Sequence, residues 1–267
     1  MDKSAPIGIF DSGVGGLSVW KELISQMPAE SMIYVADSAN APYGTKPRKF
    51  IRGRSELITR FLLDRGAKII VVACNTATGA AISGLRKMLD VPFIGVEPAV
   101  KPAALESRTG HIGILATAQT FKGEHFRRAI QLYGNSVELH VQVGTGLVEL
   151  IEAGLIDSPE TRDLLKKLLL PMVDARIDQL VLGCTHYPFL IPIIREILPA
   201  GIRVIDPAPA VARHTLKVLG ELALCRDEGS QPEYQFYTSG DPAGFQGAIH
   251  NLTGMDYPVR MLPDSAD

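Results

Sequence analysis

The sequence is short of the features that mark most specialised protein classes. Three of its 267 residues are cysteine, an odd and small number that argues against a disulfide framework and favours reduced cytosolic thiols. No two of them stand in C-x-x-C spacing, so a redox dithiol is not expected. Aromatic residues make up only 6%. Neither sign of charge dominates: 27 basic and 29 acidic residues are intermixed and leave a net charge of −2. That balance lacks the electrostatic footprint of a nucleic-acid or anionic-lipid partner. Long hydrophobic runs are also missing. The longest apolar stretch, Leu180 to Ile194, carries His186, Pro188 and Pro192 and is too short to span a bilayer. The opening Met1-Asp2-Lys3-Ser4 runs straight into a short strand, with no charged-then-apolar leader. We therefore expect a soluble, cytoplasmic protein that binds neither membrane nor nucleic acid.

What is present is aliphatic. Hydrophobic residues account for 46% and charged residues for 21%, enough to bury a core in one large domain or two of ordinary size. Short runs predict strands at Pro6–Phe10, Met32–Ala36, Lys68–Ala73, Pro92–Val96, His111–Leu115, Val137–Val143, Gln179–Gly183 and Arg203–Ile205. Between them, Leu17–Met27, Phe50–Asp64, Ala80–Leu89 and Arg162–Asp174 place apolar residues three or four apart, the period of a helix with one buried face. Gly66 stands where a left-handed residue closes the second helix. Strand and helix in steady alternation predict an α/β fold of mainly parallel sheets flanked by helices.

The chain also echoes itself. IIVVACNTATGAAISGLRKMLDVPFIGVEP, beginning at Ile69, and LVLGCTHYPFLIPIIREILPAGIRVIDP, beginning at Leu180, share one order: aliphatic strand, cysteine with polar followers, helix with a late Arg, strand, acid-Pro. Cys74 stands 24 residues before Pro98, and Cys184 stands 23 before Pro207. Upstream, Ile7–Ser12 parallels Ile112–Thr117, with 66 residues from Gly8 to Cys74 and 71 from Gly113 to Cys184. Two pseudo-symmetric lobes follow, 1–97 and 98–206, with 207–267 returning to complete the first. In open α/β sheets ligands bind beyond the carboxyl ends of the strands, so two lobes across a cleft would present both thiols to one ligand.

A thiol at a strand end and helix start is favoured as thiolate by the helix dipole. Asn75 and Thr76 follow Cys74, and Thr185 and His186 follow Cys184; with the helix amides they offer donors to an anionic ligand. A lone free cysteine is more often a small buried hydrophobe, but two at equivalent positions shift the balance to function. Asp11-Ser12-Gly13-Val14-Gly15-Gly16 departs from the G-x-G-x-x-G fingerprint and reads as a tight, capped turn. Asp11 shares a sheet edge with Cys74, where a carboxylate can orient or exchange protons. The loop Asp37–Gly44 is balanced between ligand contact and plain surface turn. His186 is open between core, acid/base and metal roles, and no neighbouring His or Cys has metal-ligand spacing. On pattern alone Glu152 is a solvated helix residue, the cluster Arg48, Lys49, Arg52 and Arg54 is a wet helix face, and Cys225 only packs. Two opposed thiols suit stereoinversion, one removing a proton from carbon and the other returning one to the far face; with an ordinary pKa of roughly 8.5, each can be base or acid.

Together the segments DSGVGGL (Asp11–Leu17), ADSANAPYG (Ala36–Gly44), ACNTAT (Ala73–Thr78), GLVELIEAG (Gly146–Gly154) and GCTHYP (Gly183–Pro188) resemble the glutamate racemases of the cofactor-independent aspartate/glutamate racemase superfamily, in the same order over nearly the whole chain. The resemblance implies interconversion of L- and D-glutamate for peptidoglycan, with no metal, pyridoxal phosphate or other cofactor. It implies that Cys74 takes the α-proton of D-glutamate and Cys184 that of L-glutamate. It assigns Asp11 to assist Cys74, and Glu152 and His186 to assist Cys184. Substrate contacts are implied for Asp11, Ser12, Tyr43, Gly44, Asn75, Thr76, Thr185 and His186. A homodimer is common in the family. The rivals are an aspartate racemase of the same superfamily and a non-enzymatic small-molecule-binding protein on the same fold.

Overall fold

The computed structural model describes residues 2–97, 99–134 and 136–263, with the backbone alone at His125. Pro98, which ends the first echo, and the outermost residues of the expected lobes lie outside them. The aliphatic runs form β1 (Ile7–Asp11), β2 (Met32–Ala36), β3 (Ile69–Val72), β4 (Phe93–Gly95), β5 (His111–Ala116), β6 (Glu138–Val143), β7 (Gln179–Gly183), β8 (Arg203–Ile205), β9 (Tyr234–Thr238) and β10 (Val259–Met261). The helices between them are α1 (Leu17–Gln26), α2 (Arg48–Asp64), α3 (Asn75–Met88), α4 (Val100–Glu106), α5 (Ala118–Lys122), α6 (Glu124–Tyr133), α7 (Leu147–Glu152), α8 (Pro159–Asp174), α9 (Ile191–Ile197), α10 (Ala208–Glu221) and α11 (Pro242–Thr253).

Among the described residues the strands form two sheets, ordered β10-β9-β2-β1-β3-β4 and β6-β5-β7-β8, and every pairing is parallel. The run β2-β1-β3-β4 matches β6-β5-β7-β8 position for position. The echo in the sequence is thus a repeat in the fold, with β1 answering β5 and β3 answering β7. Parallel strands need helical crossovers on the sheet faces, and that is why β1, β2, β3 and β7 are buried along their whole length. β9 and β10 extend the first sheet beyond β2.

One hydrophobic cluster runs through both halves, from Trp20, Leu23 and Tyr34 to Leu115, Leu147, Leu182 and Tyr187. The two sheets therefore share apolar packing, and water-excluding contact fixes how their strand ends meet. At the amino-terminal edge of the first sheet, Lys68 is buried and donates to Glu30 at 2.6 Å and to the Lys3 and Leu224 carbonyls. Such a buried charge is tolerable only when it is fully bonded. Gly66 adopts φ +80 after α2, as its place in the sequence predicts. The basic face of α2 departs from expectation at Arg54, whose guanidinium clamps the buried Asp37.

Candidate active site

The two thiols lie just past the carboxyl ends of β3 and β7, both buried, with 5% and 6% exposure. Cys74 is the N-cap of α3: its backbone is extended (φ −138, ψ 117), and its sulfur accepts the Ala77 N–H at 3.5 Å. Ser12 Oγ stands 3.8 Å from the same sulfur. Cys184 has no such helix. A turn carries the chain through Thr185 and His186 into a short 3-10 segment, Tyr187–Leu190, before α9 begins. Pro188 and Pro192 lack the N–H groups that would extend a regular helix back to the cysteine. The expected helix start after Cys184 is therefore corrected to a turn, and only Cys74 receives a helix cap.

The expected dipole activation of Cys74 is corrected as well. Burial pushes its thiol well above the ordinary cysteine value, and the negative charges of Asp11 and Cys184 push it further. The bonds from Ala77 N–H and Ser12 work the other way without prevailing. In a dry site the cost of stranding a thiolate beside a carboxylate exceeds what one helix turn returns.

Cys184 faces a different partner. Its sulfur is 3.7 Å from His186 Nδ1, and His186 Nε2 is 2.6 Å from Glu152 Oε1. Glu152 also accepts the Val14 N–H at 2.9 Å. Burial disfavours a charged imidazole, yet the bonds to Cys184 and Glu152 outweigh it and raise His186 well above its ordinary value. Burial likewise opposes the Glu152 carboxylate, but His186 and the Val14 amide hold its pKa low. Both shifts favour the charged pair, and sulfur, imidazole ring and carboxyl form a chain in which the ring is oriented by a third group.

This chain explains DSGVGG. The glycines hold no positive φ. A Cβ at Gly13 would stand 1.9 Å from Glu152 Oε1, and one at Gly15 would stand 2.2 Å from His186 Nδ1. The motif is bare because side chains from the other half of the molecule occupy its surface. Asp11, wholly buried, spends one oxygen on the Gly13 N–H at 2.7 Å and the other on Thr185 Oγ1 at 3.0 Å. It acts on Cys74 through its charge and bonds to the residue following Cys184. Burial raises its own pKa, against the pull of His186 and the Gly13 amide.

The remaining predicted residues divide. Asn75 and Thr76 are buried beside Cys74 in the first turn of α3, and neither the Nδ2 nor the Oδ1 of Asn75 has a hydrogen-bond partner. A buried amide left wholly unbonded costs about 1–3 kcal/mol unless something else fills its valences. Thr76 Oγ1 is 2.9 Å from Thr117 Oγ1, which is 2.9 Å from Thr120 Oγ1. Tyr43 is drawn elsewhere, its hydroxyl donating to Asp37 at 2.5 Å. Asp37 also accepts from Arg54, Asn40 and Ser239, so much of the Asp37–Gly44 loop is an internal anchor. Gly44 abuts the other half, where a Cβ would meet Thr117 at 3.0 Å; with Pro42, Thr117, Gly144 and Glu149 it lines a crevice of about 60 Å³.

The sequence pattern does not mark Thr117, Thr120, Ser18 or Tyr34 as site residues. Ser18 Oγ donates to the Gly15 and Thr185 carbonyls, and the Tyr34 hydroxyl donates to Gly13 O at 2.9 Å. Thr117 was available from the echo, since it stands where Ser12 stands in the first half.

The Asp/Glu/Hydantoin racemase family matches residues 7–215. The chain is 47% identical over 261 residues to the glutamate racemase of Pseudomonas paraeruginosa, covering 97% of this chain and 98% of that one. A crystal structure of a glutamate racemase isoform from Bacillus anthracis superimposes with a TM-score of 0.91 at 30% identity, covering 99% and 100% of the two chains. The Francisella tularensis glutamate racemase in complex with D-glutamate gives 0.86 at 30% identity, covering 98% of each.

Proposed function

The chain belongs to the Asp/Glu/Hydantoin racemase family, and from that membership we propose that it is a glutamate racemase working through two cysteines. The observation that carries the reading is the pair of buried thiols at equivalent strand ends of two repeated sheets, tied across the seam by Asp11–Thr185 and Val14–Glu152. Cys184 as thiolate, stabilised by the neighbouring His186 imidazolium, removes the α-proton of L-glutamate and becomes the thiol. Cys74, kept a thiol by burial and Asp11, delivers its proton to the opposite face of the planar carbanion, giving D-glutamate and a Cys74 thiolate. The reverse reaction exchanges the roles. Charge developing on the substrate carboxylate is met by donors from Asn75, Thr76, Thr185 and the α3 amides, while exclusion of water strengthens each of these contacts.

The wider reading follows. D-glutamate so made supplies peptidoglycan synthesis in the cytoplasm, with glutamate as the partner, no cofactor in the chemistry, and a homodimer as the expected assembly. No helix among the described residues is long and apolar enough to cross a membrane. Residues 1–97 with 207–267 make one lobe and 98–206 the other, the site lying between them. Incubation with pure L-glutamate, followed by circular dichroism with L-aspartate in parallel, tests this function. Decay of the glutamate signal to zero while aspartate holds is the expected result; a static glutamate signal, or faster decay of aspartate, would overturn it.

A further inference from the structure

Far from the thiols, the beginnings of β5 and β6 bring together His111, Glu138 and His140. The register pairs His111 with Glu138, and Glu138 and His140 are two apart on one strand, so all three side chains stand on one face. His111 Nδ1 lies 3.1 Å from His140 Nε2. The Glu138 carboxylate places one oxygen 3.5 Å from the first nitrogen and the other 3.7 Å from the second. The ring centroids are 5.3 Å apart and the planes are tilted by 31°.

Two nitrogens each 2.0–2.1 Å from one tetrahedral ion lie about 3.3–3.4 Å apart. At 3.1 Å the two nitrogens stand at hydrogen-bond distance and would separate by roughly 0.2–0.3 Å to form such an edge, with the Glu138 carboxylate within reach of both. The backbone is already fixed, because Glu138 N–H donates to Gly110 O at 2.6 Å and Asp178 N–H to His111 O at 3.2 Å. Ligands carried by paired strands need little ordering when an ion arrives. The side chains are open enough to admit one, at 35%, 66% and 21% exposure for His111, Glu138 and His140. We propose that His111, Glu138 and His140 form a binding site for a divalent transition cation, with zinc the best match to two imidazoles and one carboxylate.

Three protein ligands leave a fourth position for water. The ion would clip β6, the outer strand of its sheet, to β5. β5 runs from His111 to Ala116, so the site lies about 16 Å along the strand from the end that faces the thiols. The site is therefore separate from the catalytic chemistry. In sequence the two histidines are 29 residues apart, far outside the short spacings by which metal motifs are recognised.

Titration of the full chain with CoCl2 followed by its visible spectrum, and with ZnCl2 by calorimetry, tests the proposal. The expected result is one equivalent of cobalt with d–d bands and no sulfur-to-metal charge-transfer band. His111→Ala and His140→Ala should each weaken zinc binding by at least about a hundredfold, more than loss of a supporting group costs. Zinc should also raise the melting temperature of the wild type but not of His140→Gln, a milder change that keeps the strand. Equal zinc affinity in the wild type and His140→Ala, or a cobalt spectrum dominated by sulfur charge transfer, would refute the site.

Discussion

The two halves of the site differ in what surrounds the same atom. Cys74 caps a helix, touches Ser12, and sits beside the negative charge of Asp11. Cys184 caps nothing and instead heads a chain through His186 to Glu152. Burial and a carboxylate push the first thiol up; the second stands 3.7 Å from an imidazole that is itself held by a carboxylate. Repetition of the backbone thus supplies two sulfurs at equivalent strand ends, and divergence around them gives each a different set of partners. The supporting groups cross over: His186 and Glu152 rest against the DSGVGG turn that follows β1, while Asp11 bonds to Thr185. Neither half completes its own thiol environment.

The largest expected effect erases the comparison. Cys74→Ser and Cys184→Ser should each lower kcat by at least about 10³-fold, near the upper range for losing a positioned acid or base; near-normal racemisation by either variant would show that its sulfur is not needed. Next comes His186→Asn, expected to cost about 10²-fold. Because enantiomers are equally stable, any variant must lose the same factor in kcat/KM in both directions. The asymmetry therefore has to be read from primary isotope effects on α-deuterated substrates. His186→Asn should raise the effect for L-glutamate and lower it for D-glutamate, and the opposite change would assign His186 to the other thiol.

Gly15→Ala probes the crossing of the halves, since the new methyl would lie on the His186 ring. Overpacking of this kind costs about 1–3 kcal/mol, and its isotope effects should move in the same direction as those of His186→Asn. A comparable loss of stability is expected from Glu152→Gln, about 1–3 kcal/mol when a buried bond is broken. Its pH dependence has a definite sign. His186 is raised from 6.5, so its contribution is full below 6.5 and fades as pH rises through the folded value. Glu152 is lowered from 4.5, so its contribution is full above 4.5 and fades as pH falls through the folded value. Urea unfolding should therefore show the largest gap between wild type and Glu152→Gln from pH 4.5 to 6.5; a gap independent of pH would mean that the pair is not ionic. The smallest change belongs to Thr117→Val, which loosens one cross-seam hydroxyl contact and should alter kcat/KM by no more than about threefold.

Much of this frame was legible because parallel strands announce themselves as unbroken aliphatic runs. Met32–Ala36, Gln179–Gly183 and Arg203–Ile205 fall where the runs predict them. The helix after Cys74 begins at Asn75, five residues before its predicted start at Ala80. Its first turn, Asn75-Thr76-Ala77-Thr78, holds a single apolar residue and so shows no apolar period, even though all four are buried. The turn after Cys184 lies within an apolar run that resembles a helix, although Pro188 and Pro192 interrupt it. Glu152 was illegible for a deeper reason: its position in α7 is ordinary, and its partners, Val14 and His186, are 138 and 34 residues away. The glycines of DSGVGG could be seen, but what they make room for could not.

The claim that two opposed groups share one proton transfer is tested most directly by locating deuterium. L-glutamate is converted to a few per cent in deuterated water, the enantiomers are separated, and the α-position of each is read by NMR. The account predicts that the D-glutamate formed carries deuterium from Cys74 while recovered L-glutamate keeps its original hydrogen. D-glutamate that retains the substrate's own α-hydrogen, or deuterium appearing equally in both enantiomers, would mean that one group serves both faces and would contradict it.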